Sequence, residues 1–351
     1  MELKEMHEDV KRIAALPLPW EKLAGKRVLI SGASGMIGSF LIQVLMERPE
    51  TIYVTGIGRN EDKARRRFAS FWDSAEFTFL SRDINQPLEE DIRADFILHA
   101  ASNTHPAAYS ADPIGTVTTN ILGTLNLLRL AASCKGGRFL FASSVEIYGE
   151  NRGDKEYFDE SYCGYLDCNT VRAGYPESKR AGEALCQAFI RQEGVDAVIA
   201  RLSRTYGPTM LLSDTKAISQ FLKKGAAGED IVLKSAGNQL YSYSYVADAV
   251  SGLLTVLLKG EKGEAYNIAD PGSDLTLKDL AAMIAGKCGK NVVFELPDEK
   301  EAAGYSKATK ALMDGSKLRA LGWRSLWKME EGVERTLACL KERMAEETER
   351  F

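Results

Sequence analysis

One run of residues sets the architecture of this chain: Lys26-Arg27-Val28-Leu29-Ile30-Ser31-Gly32-Ala33-Ser34-Gly35-Met36-Ile37-Gly38. An apolar segment leads into three glycines spaced G-x-x-G-x-x-G, and an apolar helical pattern follows. This order predicts a strand, a tight turn and a helix whose N-terminus offers free N–H groups to a pyrophosphate. Glycine is needed because a Cβ would block the approach of the backbone to the phosphates. Some glycine-rich turns bind nothing, but the position of this one directly after a strand favours dinucleotide binding.

Composition excludes several classes of protein. The chain has 351 residues, 45% of them hydrophobic, which is enough for a large core. The net charge is −4 without a basic block, so we expect no nucleic-acid partner. Six cysteines without C-x-x-C spacing and three histidines predict no metal site. Scattered cysteines, the lack of a signal peptide and the lack of a long apolar run predict a cytoplasmic protein without a membrane partner.

Strand and helix patterns alternate along the first two thirds of the chain. Strand candidates occupy 26–31, 51–57, 77–80, 95–99, 138–142 and 197–202, and helices lie between them. The alternation predicts an α/β fold, a Rossmann-type doubly wound parallel sheet with a smaller C-terminal substrate lobe. The predicted organisation is a helical extension at 1–24, a dinucleotide-binding domain at 25–205 to which 241–269 returns, and a substrate lobe made of 206–240 and 270–346.

A candidate catalytic group lies further along the chain. Tyr175 and Lys179 are four residues apart in a predicted helix, so their side chains share one face. A lysine ammonium near a phenol favours the phenolate, which takes a proton from a hydroxyl at neutral pH. Ser144 ends a buried strand at the edge where such sheets bind ligands, and its hydroxyl is placed to share a hydrogen bond with a substrate alcohol. A Tyr-x-x-x-Lys spacing alone is more often an ordinary surface pair; the combination with the glycine run and the serine favours catalysis.

With these features the chain resembles a family, the extended short-chain dehydrogenases/reductases (NAD-dependent epimerases/dehydratases) that modify nucleotide sugars. The resemblance spans about residues 25–340 and includes His99-Ala100-Ala101-Ser102, Thr119-Asn120-Ile121-Leu122-Gly123-Thr124 and Leu321-Gly322-Trp323. Within the family it is most similar to UDP-glucuronate decarboxylases, through the stretches 109–113, 144–149 and 172–180.

The resemblance implies a role for each candidate residue. Tyr175 would be the catalytic base, Lys179 would hold the nicotinamide ribose and lower the tyrosine pKa, and Ser144 would orient the sugar hydroxyl. The implied catalytic set is Tyr175, Lys179, Ser144 and Glu146. Asp83 would meet the adenine, and Ala101 and Asn120 would line the cofactor channel. The implied cofactor-binding set is Gly32, Ser34, Gly35, Met36, Ile37, Gly38, Arg59, Asp83, Ile84, Ala100, Ala101, Ser102, Asn120, Tyr175 and Lys179.

Glu146 separates the reactions of the family. Its 4,6-dehydratases carry an Asp-Glu pair after the serine or threonine, but here Val145 precedes Glu146 and cannot give a proton. Decarboxylases keep only the glutamate, and 4-epimerases often have no acid at either position. The implied reaction oxidises C4 to a transient ketone, loses CO2 and returns the hydride. The alternatives are a 4-epimerase, a 4,6-dehydratase, a non-catalytic dinucleotide sensor or scaffold, and for Glu146 alone a carboxylate bound to nearby backbone.

Three positions depart from the family's pattern. Arg204 replaces the usual asparagine before Thr-Tyr-Gly-Pro, Thr209 replaces the arginine after it, and Tyr241 replaces the arginine ahead of Tyr-Val-x-Asp. In the family these positions ordinarily hold the diphosphate or the substrate carboxylate. Arg172, Arg204 and Lys216 could supply the missing charge. The candidate substrate-binding set is therefore Tyr109, Arg172, Arg204, Lys216 and Tyr241, and a CDP- or dTDP-linked sugar is an alternative to a UDP-sugar.

The end of the second strand bears on the cofactor. NAD selectivity usually comes from an acidic residue about 20 positions after the glycine run. Arg59 stands there instead, and an arginine can accept the phosphate of NADP or stack on adenine. We expect NAD, because a retained and recycled cofactor suits a redox-neutral reaction, with NADP as the alternative. By the same resemblance, helices 114–133 and 175–193 are expected to pair two copies as a homodimer.

Overall fold

The structure, a computed structural model, describes residues 3–88, 92–104, 111–134, 136–295 and 309–348. In chain order the strands are β1 Arg27–Ser31, β2 Tyr53–Gly58, β3 Phe77–Ser81, β4 Phe96–His99, β5 Arg138–Ser144, β6 Asp196–Leu202, β7 Arg204–Tyr206, β8 Ile231–Leu233, β9 Leu240–Tyr245, β10 Ala265–Ile268, β11 Asp274–Thr276, β12 Val292–Phe294 and β13 Lys310–Ala311. The helices are α1 Lys4–Ala14, α2 Met36–Met46, α3 Glu61–Arg67, α4 Pro113–Ser133, α5 Gly174–Gln192, α6 Ala217–Ala226, α7 Val246–Lys259, α8 Leu277–Cys288, α9 Ser316–Ala320 and α10 Met329–Thr348.

Seven parallel strands form the main sheet in the order β3-β2-β1-β4-β5-β6-β10. From β1 the chain builds outward to β2 and β3, then crosses back to β4 on the other side of β1. Ligands of such sheets bind in the crevice at the carboxyl ends of the strands, where the strand order reverses. The predicted α/β fold with a Rossmann-type, doubly wound sheet is confirmed, and the crevice lies between β1 and β4.

The two faces of the main sheet bury separate apolar layers. Val28 and Ile30 of β1 join a cluster with Phe40 of α2, whereas Leu29 joins a second cluster with Leu127 of α4. Successive strand residues point to opposite faces, so a strand covered on both sides must be apolar throughout. This explains why the strand segments of the sequence are continuous apolar runs.

A smaller set of strands forms the rest of the molecule. β9 pairs with β7, β11 and β13 in a four-stranded sheet, and β8 pairs with β12. Of the segment 241–269, which we expected in the main sheet, β10 joins that sheet, whereas β9 belongs to the smaller one. The predicted boundary at 205 falls inside β7.

The N-terminal helix α1 packs against the ends of other elements. Asp9 is buried, accepts a hydrogen bond of 2.5 Å from the Tyr245 hydroxyl and forms an ion pair of 2.8 Å with Arg335 of α10. The helix thus joins the end of β9 to the C-terminal helix. Among the described residues, the helices are all too short or too polar to cross a membrane.

Candidate active site

The glycine turn between β1 and α2 leaves room for a ligand only because side chains are absent. Gly32 has φ +71°, and a Cβ there would lie 2.8 Å from the backbone of Ala101. A Cβ on Gly38 would lie 2.4 Å from the carbonyl oxygen of Gly32. The helix begins at Met36 and leaves its first N–H groups free for an anion. These features fit the pyrophosphate of a dinucleotide.

The other predicted cofactor residues lie at the carboxyl ends of β1 to β4. Ser34 is in the glycine turn, and its hydroxyl is 3.6 Å from where a Cβ of Gly58 would be, at the end of β2. Arg59 follows β2 and is exposed, and Asp83 follows β3 and accepts a hydrogen bond from its own turn. Ile84 is buried against α4. Ala100, Ala101 and Ser102 continue from β4 and are half-buried, as are Gly35, Met36 and Ile37.

A buried polar layer lies beneath this crevice. The ring of His99 contacts the Ser31 hydroxyl at 2.7 Å and the Thr124 hydroxyl at 3.1 Å. Burial holds the pKa of His99 well below its usual range, and the charge of Lys179 adds to the effect, so the ring is neutral. Asn120, predicted to line the cofactor channel, is fully buried and donates to Ser178 at 2.9 Å. Its contact joins α4 to α5, the helix that carries Tyr175 and Lys179.

The predicted catalytic residues lie together where β5 ends and α5 begins. The Ser144 and Tyr175 side chains are hydrogen-bonded to each other. Burial raises the pKa of Tyr175 to about 12; the Ser144 hydrogen bond opposes this and the charge of Glu146 adds to it. One helical turn later, Lys179 is buried, donates to the Ala142 carbonyl at 2.8 Å and lies 4.8 Å from the Phe141 ring.

The ammonium of Lys179 has an unusual environment for a cation. Burial lowers the pKa of Lys179 to about 7, and the charge of Glu183, one turn further along α5, opposes the shift. Glu183 in turn pairs with Arg201 of β6 at 2.7 Å and accepts a hydrogen bond from Ser143 at 2.5 Å. Glu183 and Arg201 were not among the residues predicted for the site. The (i, i+4) spacing from Lys179 was a visible signal for Glu183.

Glu146 forms an ion pair with a guanidinium beside the catalytic tyrosine. It is half-buried on the short 3₁₀ helix after β5, and its carboxylate lies 2.7 Å from Arg172. Arg172 belongs to the turn immediately before α5, so its charge also acts on Tyr175, where it opposes the rise in pKa. The partner of Glu146 is therefore a charged side chain rather than the neighbouring backbone that we considered as an alternative.

The remaining substrate candidates lie along the smaller sheet and the loop before α6. The Arg204 guanidinium stacks on the Tyr241 ring, 3.5 Å from its centroid. Lys216 pairs with Asp214 at 2.6 Å and reaches the Thr104 carbonyl at 3.4 Å. Tyr109 lies outside the described residues.

Comparisons with known proteins agree with this geometry. The sequence model of the NAD dependent epimerase/dehydratase family matches residues 28–269 of this chain. UDP-glucuronic acid decarboxylase 1 of Xenopus tropicalis is 33% identical over 313 residues, covering 89% of this chain and 71% of the relative. UDP-glucuronic acid decarboxylase 5 of Arabidopsis thaliana is 34% identical over 318 residues, covering 88% and 87%.

Solved structures match over nearly the whole chain. The dTDP-glucose 4,6-dehydratase DesIV of Streptomyces venezuelae, solved with NAD and TYD bound, superposes with a TM-score of 0.77 at 25% identity, covering 91% of this chain and 98% of that one. The UDP-glucuronic acid 4-epimerase of Bacillus cereus, with a TM-score of 0.78 at 22% identity over 90% and 99% of the chains, shares the fold. The expectation of NAD is confirmed, because the family is NAD-dependent. The chain therefore belongs to the NAD-dependent epimerase/dehydratase family.

Proposed function

We propose that this protein converts UDP-glucuronate to a UDP-pentose by decarboxylation through a 4-keto sugar. The proposal rests on one observation: two contacts lie side by side at the start of α5, a hydrogen bond between Ser144 and Tyr175 and an ion pair between Glu146 and Arg172. The names of the curated relatives at 33% and 34% identity support the same reaction.

The side chains have separate tasks in this reaction. NAD, when bound on the glycine turn, would supply the oxidation and the reduction at C4 of the sugar. Tyr175 takes the proton of the C4 hydroxyl, and Ser144 orients that hydroxyl through the hydrogen bond that it shares with the tyrosine. The charge of Arg172 lowers the pKa of Tyr175, and the family resemblance gives Lys179, one helical turn away, the same task. Once C4 is a ketone, it lies β to the carboxylate and accepts the electrons that CO2 leaves behind.

Glu146 and Val145 favour decarboxylation over dehydration. Removing water from C5 and C6 needs an acid and a base, and the residue before Glu146 is a buried valine. A single carboxylate suffices for a reaction that needs one proton at C5 after CO2 has left. A 4-epimerase is the second candidate, supported by the fold shared with the epimerase of Bacillus cereus.

Mass spectrometry of the purified protein with UDP-glucuronate and NAD+ tests the proposal. The expected product is lighter than the substrate by one CO2. A product lighter by one water would identify a dehydratase, and an unchanged mass with a C4 epimer in the NMR spectrum would identify an epimerase. Glu146→Gln should slow decarboxylation at least 10²-fold if its carboxylate serves the C5 proton.

Tyr175→Phe separates an enzyme from a non-catalytic sensor or scaffold. We expect turnover to fall about 10²- to 10⁴-fold while the protein still binds NAD. Tyr165→Phe is a matched control, because Tyr165 is exposed, outside the catalytic contacts. Equal turnover by the Tyr175 and Tyr165 variants would refute a role for the Tyr175 phenol.

We also propose that the protein is a cytoplasmic homodimer. α4 and the turn before α5 expose Ile114, Leu122 and Val171, which together offer an apolar surface for a second copy. All six cysteines are unpaired, in keeping with a reducing compartment. Leu122→Glu should shift a dimer to monomers in sedimentation equilibrium, and a wild-type monomer would refute the assembly.

A further inference from the structure

The pairing of β7 with β9 places Arg204 at the candidate active site. β7 and β9 are parallel neighbours, and Arg204 is opposite Tyr243 in their register. Tyr241, two residues before Tyr243, lies on the same face of β9, because side chains alternate along a strand. The guanidinium of Arg204 crosses to that diagonal neighbour and stacks on its ring at 3.5 Å. The stack fixes the plane of the guanidinium before any ligand arrives.

The charge of Arg204 differs from that of the other cations at the site. Arg172 has Glu146 at 2.7 Å, and Lys216 has Asp214 at 2.6 Å. Within the described parts of the chain, Arg204 has no carboxylate partner; it shares a hydrogen bond with the Tyr241 hydroxyl, and its Nη1 atom is buried without a hydrogen-bond acceptor. Leaving buried donors of a cation unsatisfied costs free energy. An anionic ligand would remove that cost.

The stacked pair lies close to Tyr175, because the two tyrosines share charged neighbours. The charges of Glu146 and Arg172 act on both Tyr175 and Tyr241. Arg204 acts on Tyr241 and on Tyr243. The guanidinium of Arg204 is therefore grouped, through Tyr241, with the candidate catalytic residues.

We propose that Arg204, held flat on Tyr241, binds an oxyanion of the nucleotide-sugar substrate through paired N–H donors. The inference rests on the proposed function, because it takes the substrate to be an acidic nucleotide sugar. Two oxyanions of such a substrate have the right chemistry, the sugar carboxylate and the diphosphate. Both accept a planar fork of donors, and the experiment distinguishes them.

The test exchanges the two stacked residues in the NAD-loaded protein. Arg204→Asn should weaken binding of UDP-glucuronate about 10- to 100-fold in calorimetry, the range for hydrogen bonds to charged groups. Adding Tyr241→Arg to that variant returns a guanidinium to the same place from the neighbouring strand, and should recover most of the affinity. Arg152→Asn is the matched control: Arg152 stacks on Tyr165 at 4.0 Å, at an exposed place away from the catalytic group.

Two further ligands assign the oxyanion. If Arg204→Asn weakens UDP binding by the same factor as UDP-glucuronate, the guanidinium binds the diphosphate. If UDP and UDP-glucose bind unchanged while UDP-glucuronate weakens, it binds the carboxylate. Unchanged affinity for all three in a variant that melts like the wild type would overturn the proposal.

Failure of the proposed function gives a different pattern. If the wild-type protein binds UDP-glucuronate but releases no CO2 from it, the proposed reaction is wrong. The effect of Arg204→Asn on the affinity for UDP-glucuronate can still be measured. If wild-type protein binds no uridine nucleotide, dTDP and CDP replace UDP in the same titrations. Their diphosphates test Arg204 independently of the base, and equal affinity for wild type and Arg204→Asn again overturns the inference.

Discussion

Replacing Glu183 with glutamine should lower the pKa of Lys179 below its present value of about 7. The two side chains are one turn apart on α5, about 6 Å between their Cβ atoms. At an effective dielectric constant of about 20, one charge at that distance is worth about 3 kcal/mol, which corresponds to a pKa lower by about 2. The substitution also leaves Arg201, which is 9% exposed, without its carboxylate, at a cost of about 3–5 kcal/mol in the free energy of unfolding.

The assay is the pH dependence of kcat/KM together with urea unfolding. Lys179 carries its charge below its pKa and loses it as the pH rises, so activity that needs the ammonium falls on the alkaline side. In Glu183→Gln this fall should begin at a pH lower by up to about 2. Adding Arg201→Met removes the second charge, so stability should largely recover while the shifted pH profile remains.

Asp196→Asn is the control for the loss of an ion pair as such. Asp196 pairs with Arg138 at 2.9 Å, is 40% exposed and belongs to the opposite end of β6. Its loss should cost less than about 1 kcal/mol and leave the pH profile unchanged. Coincident profiles for Glu183→Gln and the wild type would refute the electrostatic coupling between Glu183 and Lys179.

Four other substitutions test the glycine turn and the packing of the fold. Gly38→Ala should abolish NAD binding in calorimetry, because its Cβ would lie 2.4 Å from a carbonyl oxygen of the glycine turn. Gly286→Ala is the control. Gly286 is on an open face of α8, so the alanine should raise the free energy of unfolding by about 0.5–1 kcal/mol without changing NAD affinity. Asp9→Asn should flatten the pH dependence of urea unfolding between about pH 4 and pH 6. Burial raises the pKa of Asp9 to about 6, so in this window the folded state binds a proton that the unfolded state does not. The contribution of Asp9 to the free energy of unfolding therefore falls as the pH rises through the window, and the asparagine removes this dependence. Trp323→Phe should cost about 1–3 kcal/mol in thermal unfolding, because it leaves a buried serine hydroxyl without its indole N–H at 2.9 Å.

Local patterns were sufficient to predict the main sheet and where several candidate site residues lie. The glycine run, read with the strand before it, predicted β1, the turn and the start of α2, because a turn of that kind is specified by neighbouring residues. Tyr175 and Lys179 were predicted to share a face from their spacing alone, and Ser144 from its place at a strand end. The structure brings all three to one end of α5. Their catalytic roles stay predictions.

Contacts between distant segments were beyond the reach of local patterns. Asn120 stays a predicted cofactor residue, and its hydrogen bond to Ser178 on α5, 58 residues away, was not predicted. Arg201 pairs with Glu183 because β6 lies beside the helix that carries Lys179. β9 was expected in the main sheet, and its pairing with β7, β11 and β13 depends on strands that are too short to be read from periodicity.

The exchange at positions 204 and 241 shows that a departure from the family's sequence pattern need not remove a positive charge from the site. Compared position by position, the chain lacks an arginine at Tyr241. In space, the neighbouring strand returns a guanidinium to within 3.5 Å of that ring, because the register of β7 and β9 makes Arg204 and Tyr241 diagonal neighbours. An anion is attracted by where the charge is held, whichever strand supplies it. Tyr241 in place of the family's arginine weakens the resemblance by sequence. Because Arg204 lies on its ring, the candidate site nevertheless keeps a positive charge, which favours an acidic nucleotide sugar.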